Sequence, residues 1–159
     1  MPISVGDKVP DVEVFTMGAE GPTSVRTGDV LGTGKVVLFA VPGAFTPGCS
    51  KIHLPGFVAG AGELKSKGVD TIACTAVNDA WVMDAWAKDQ GADGITMLAD
   101  GSGTFAEAMG LGFDGSAFGL GHRSQRYAAV IEDGVVTSLD VEAKPGIDVS
   151  SCESVLSRL

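Results

Sequence analysis

Residues 36–57 read VVLFAVPGAFTPGCSKIHLPGF, and they decide the fold. Val36 to Val41 is an unbroken apolar run rich in β-branched residues, the mark of a strand buried on both faces. Pro42-Gly43 stops it, and a helix is expected from about Cys49 to Ser66, bent or interrupted at Pro55-Gly56 and closed by Lys67-Gly68. The turn therefore delivers Cys49 to a first helical turn, where backbone N–H groups lack partners and the macrodipole is positive. A thiolate is favoured there, which raises the nucleophilic fraction of the sulfur. Thr46, three residues earlier, can set a hydroxyl against the sulfur or an incoming oxygen. Pro42 covers the sulfur side and has no N–H to compete for hydrogen bonds.

Outward from this stretch, Val69 to Ala76 forms a second buried strand, and Asn78-Asp79 caps a helix from Ala80 to about Lys88. The apolar stripe of that helix is expected at Trp81, Ala85, Val82 and Trp86. Met97 to Asp100 is a short third strand, and Thr104 caps a brief helix over residues 105–109. Gly110 to Gly121 reads as a long loop; it spells GxGxxG at 110–115, but follows a helix and opens none, so dinucleotide binding is not expected. Asp133-Gly134 joins strands 127–131 and 135–141 in a hairpin. Ser150 to Glu153 resembles a capping box that opens a last helix through Leu159, and residues before Thr33 read as one or two short hairpin strands. The sum is a single α/β domain with a mixed central β-sheet flanked by helices.

The chain has 159 residues, 45% of them apolar, enough for a core without metal or disulfide staples. Its formal net charge of -9 repels phosphate backbones and anionic lipids, so nucleic acid and membrane surfaces are excluded as partners. The opening MPISVGDKVPDVEVF has neither a basic nor an apolar signal region, so a cytoplasmic location is expected, or an organellar one if a presequence was removed. Three cysteines, Cys49, Cys74 and Cys152, are too few for a secreted disulfide scaffold. His53 and His122 have no metal-ligand spacing, so no metal and no cofactor are expected. His53, at i+4 from Cys49, either shares its face and adds positive character or only packs locally at partial exposure.

PGAFTPGCSKIHLPGF resembles the active-site signature of the peroxiredoxins, in the type II or peroxiredoxin V branch. KGVDTIACTAVNDAWVMDAWAK, RSQRYAAVIEDG and the opening GDKVPDVEVF resemble further segments of that branch, so the likeness runs over nearly the whole chain. The resemblance implies a thioredoxin-like fold and a cofactor-free thiol peroxidase for hydrogen peroxide and alkyl hydroperoxides, with thioredoxin or glutaredoxin and glutathione as reductant. It implies Cys49 as peroxidatic cysteine, with Thr46, Pro42 and Arg126 around the peroxide, and it favours Arg126 over Arg123. It leaves three ways to resolve the oxidised sulfur: Cys152, which falls a few residues later than the usual position, Cys74, or an external thiol. Phe45, Gly48, His53, Phe118 and Arg123 are expected in the substrate pocket or in the interface of a homodimer, with Phe113 alongside. Two rival readings use the same residues: a peroxide sensor that signals through Cys49, and a thiol–disulfide oxidoreductase, which the missing CxxC opposes.

Overall fold

The computed structural model describes residues 1–159. Nine strands are present: β1 (Glu13–Gly18), β2 (Gly21–Arg26), β3 (Lys35–Ala40), β4 (Thr71–Ala76), β5 (Thr96–Ala99), β6 (Gly112–Asp114), β7 (His122–Ser124), β8 (Tyr127–Glu132) and β9 (Val135–Val141). Five α-helices accompany them: α1 (Thr27–Val30), α2 (Leu54–Ser66), α3 (Ala80–Gln90), α4 (Thr104–Ala108) and α5 (Cys152–Leu156). Seven strands form one sheet in the order β2-β1-β5-β4-β3-β8-β9, parallel at β3/β4/β5 and antiparallel elsewhere, so the expected mixed sheet is present.

Period-two alternation sorts the central strands between two apolar layers. Val37, Phe39 and Val41 face α2, α3 and α5, with Cys74, Ala128 and Val130 on the same side. Val36, Leu38 and Ala40 face the other side, with Tyr127, Ala129 and Ile131 and with Phe105 of α4. No helix is long and apolar enough to cross a membrane. At the β8–β9 hairpin Asp133 and Gly134 both take positive φ, 49° and 84°, as the two-residue turn requires.

Several local expectations are corrected. The irregularity near Pro55 falls before it: Cys49–His53 is a wide π-type turn, and α2 runs unbroken from Leu54. Proline cannot donate an N–H and its ring crowds the carbonyl four residues back, so widening the preceding turn accommodates it. The buried stripe of α3 is Ala80, Met83 and Trp86; Trp81 and Ala85 point outward. The cap of α4 is not Thr104 but the carboxylate of Asp100, which accepts from Phe105 N–H at 2.9 Å and Ala106 N–H at 2.8 Å. The Gly110–Gly121 stretch is no plain loop, since β6 lies within it and pairs with β7. The last helix spans only Cys152–Leu156 and is capped by Ser151, whose hydroxyl accepts from Ser154 N–H; Ser150 is used elsewhere.

Candidate active site

β3 ends at Ala40, which pairs with Tyr127 of β8, so Arg126 lies just beyond the last rung, beside the Pro42 turn. Alternation along β8 gives Arg126 the parity of Ala128 and Val130, on the side of the sheet that carries Cys49. The turn itself is strained and pinned. Phe45 sits at φ 66°, unusual for an aromatic residue, while Ala44 N–H donates to Asn78 Oδ1 at 2.9 Å. Thr46 Oγ1 donates to the Gly43 carbonyl at 2.7 Å, which commits its proton and leaves its lone pairs free to accept.

Cys49 and Cys74 are fully buried, Cys152 is nearly so, and none of the three is paired by disulfide. Arg126 Nη2 donates to Cys49 Sγ at 3.0 Å. Arg126 Nη1 donates to His53 Nδ1 at 2.8 Å, and His53 Nε2–H donates to the Ser150 carbonyl at 2.8 Å. Those two bonds select the neutral imidazole with its proton on Nε2: a guanidinium has only protons to give, and a carbonyl only lone pairs. Burial pushes the His53 pKa down to about 4, with a contribution from the Arg126 charge. His53 is 1% exposed and packs against Phe39 and Phe57. It therefore brings no positive charge to the sulfur, and it is buried rather than partly exposed.

Arg123 lies elsewhere. Paired opposite Phe113 on β7, it donates from Nε to the Leu120 carbonyl at 2.9 Å and from Nη1 to the Pro42 carbonyl at 3.3 Å, bracing the turn rather than reaching the sulfur. Gly48 packs under Arg126 and Ile147; a Cβ there would stand 3.5 Å from each. A cleft of about 450 Å³ opens over Arg126, walled by Pro42, Phe113, Gln125 and the Glu142–Gly146 segment. Two other clefts, about 310 and 480 Å³, flank α3, β1 and β5 away from Cys49. Phe45 and Phe118 are 53% and 85% exposed, with Ile52 also outside, so this end of the molecule presents aromatic surface.

The other two thiols differ from Cys49 in surroundings. Cys74 is buried mid-strand, which pushes its pKa well above the ordinary value. Cys152 packs onto Gly60, where any side chain would collide with its sulfur, and burial raises its pKa to about 11. His53 as a buried link, Asn78 as a pin of the turn, and the Ser150 carbonyl that holds His53 carry no local sequence signal, because their partners lie 34 to 97 residues away.

The sequence profile described as Redoxin matches residues 4–156. The chain is 49% identical over 162 residues to peroxiredoxin-2E, chloroplastic, of Arabidopsis thaliana, covering 99% of this chain and 69% of that protein. It is 44% identical over 160 residues to peroxiredoxin-2B of the same plant, covering 99% of both. Among solved structures, reduced Prx3 in complex with hydrogen peroxide from Vibrio vulnificus superposes with a TM-score of 0.94 at 48% identity, covering 98% of each chain.

Proposed function

We propose, for a chain that belongs to the Redoxin family as a peroxiredoxin and is therefore a thiol peroxidase of antioxidant defence, that Cys49 is the peroxide-reducing nucleophile. The observation that carries this reading is the 3.0 Å hydrogen bond from Arg126 Nη2 to Cys49 Sγ, made by an arginine that itself lines an open cleft.

The thiolate attacks the terminal oxygen of the peroxide in line with the O–O bond. The S–O bond forms as the O–O bond breaks, the released oxygen leaves as water or an alcohol after taking a proton, and Cys49 becomes a sulfenic acid. Thr46, its own proton given to Gly43, accepts from the peroxide O–H and fixes its orientation. Arg126 stabilises the sulfur anion before the reaction and the charge moving onto the leaving oxygen during it. Pro42 walls the sulfur side, with its carbonyl held by Arg123. Because the donors are fixed before peroxide arrives, little reorganisation is required.

Hydrogen peroxide and alkyl hydroperoxides are the substrates of this reading, and a thioredoxin-type or glutathione-linked thiol is the reductant. An external thiol is also the favoured resolving group. Attack on a sulfenic acid needs a thiolate, and burial opposes that form at both Cys74 and Cys152. The donor thiol displaces hydroxide from sulfur to give water and a mixed disulfide, and a second thiol then releases Cys49. The exposed Phe45, Ile52 and Phe118 support a homodimer through this end. The compartment proposed is the cytoplasm.

The test is peroxide-dependent oxidation of a thioredoxin or glutaredoxin system. Cys49→Ser is expected to lose turnover by at least about 10⁴-fold, and activity retained in that variant overturns the assignment.

A further inference from the structure

Arg126 has no carboxylate partner: the ion pairs of the protein are Arg26–Asp11, Lys88–Asp84 and Arg158–Asp140. A long side chain with five donors is nevertheless aimed at one sulfur, which costs rotamer freedom and needs a guide. His53 supplies the immediate contact, and beyond Arg126 the only hydrogen-bond partner of its ring is the Ser150 carbonyl.

What holds Ser150 is Glu142. One carboxylate oxygen, Oε2, accepts from Ser150 N–H at 2.9 Å, Ser150 Oγ at 2.7 Å and Asp148 N–H at 2.7 Å. Burial favours protonation of this acid, yet these donors outweigh it and hold the Glu142 pKa below the ordinary value. The Glu142 N–H donates to the Arg126 carbonyl at 3.0 Å. The hydrogen bonds therefore close a circuit that leaves the Arg126 backbone, passes through Glu142, Ser150 and His53, and returns to the Arg126 guanidinium.

We propose that Glu142 is a positioning residue for peroxide reduction, acting on Arg126 through Ser150 and His53. The indirect route has a chemical reason. A carboxylate touching Arg126 would fix it and also neutralise it, weakening its pull on the sulfur and on the leaving oxygen. A neutral imidazole placed between them transmits the geometry and leaves the positive charge for the reaction. This inference rests on Cys49 and Arg126 as the reacting pair.

The experiment is a double-variant cycle on the full-length reduced protein, reading the second-order rate of Cys49 oxidation by hydrogen peroxide in stopped flow across pH. Glu142→Ala is expected to slow oxidation about tenfold and to move the acid limb of the rate profile. In a His53→Ala background the same substitution should add less than about twofold, because the link it acts through is already gone. Glu142→Gln, which keeps an acceptor, should recover part of the loss, and it carries the same cycle should Glu142→Ala not fold. An equal loss in both backgrounds, or an unmoved profile in the Glu142 variants while Arg126→Met slows oxidation, overturns the proposal. An unchanged rate in Arg126→Met would instead overturn the reading beneath it.

Discussion

Cys49 and Cys74 lie in the same apolar layer, and both are fully buried, yet their neighbourhoods ask opposite things of a thiol. Cys74 sits mid-strand on β4 opposite Phe39, its thiol takes part in no side-chain hydrogen bond, and burial pushes its proton on more tightly. Cys49 lies at a wide helical turn, with a guanidinium at 3.0 Å that also lines a cleft. Burial alone makes a cysteine inert; burial beside an uncompensated, fixed cation makes a site. The difference lies in what the ends of β3 and β8 bring together.

Short of replacing Cys49 itself, the largest effect should come from removing the cation. Arg126→Met is expected to lower the rate of peroxide reduction about 100-fold, leaving Cys49 closer to the condition of Cys74. Arg123→Met, which only unbraces the Pro42 carbonyl, should cost about fivefold or less. Parity between the two variants in stopped flow would break the comparison.

A second prediction concerns the neutral histidine that keeps the cation uncompensated. Burial, the leading cause, holds the His53 pKa at about 4, below the ordinary 6.5. The unfolded chain therefore binds a proton near the ordinary value while the folded one does not. Its contribution to stability is fully present above about pH 6.5 and is lost as pH falls toward 4, up to about 3 kcal/mol. Denaturant titrations across that window should show the decline in the wild type and a shallower one in His53→Gln. Equal slopes would mean that the imidazole is not held neutral.

The smallest effect belongs to the inert side. Cys74→Ser should cost about 1–2 kcal/mol of stability by burying a hydroxyl in an apolar strand. It should leave the rate of peroxide reduction within about twofold. A larger loss of rate would give Cys74 a part in the chemistry.

How much of this could be read from the chain depends on range. The 36–57 stretch announces a buried strand, a rigid turn and a cysteine at a helix start because those signals are local, and the structure places β3 and the turn there. Arg126 was separated from Arg123 by family resemblance; the physical reason is strand register, which sets Arg126 opposite the turn and rolls Arg123 into the β6–β7 ribbon. His53 could not be assigned, since its partners at positions 126 and 150 lie 73 and 97 residues away. The Asp100 cap of α4 is hidden for a smaller version of the same reason. Its carboxylate reaches past Gly103, whose positive φ bends the chain back, so Thr104 never occupies the capping position. On α3 the two tryptophans look alike in sequence, but Trp86 is buried and donates to Ser50 Oγ, whereas Trp81 faces out.

The most direct measurement treats the reduced protein with one equivalent of hydrogen peroxide, in the presence of a carbon nucleophile that traps sulfenic acids, and maps the label by peptide mass spectrometry. The account predicts the label on Cys49, with Cys74 and Cys152 still thiols. A label distributed among the three, or resting on Cys152 or Cys74, would contradict it.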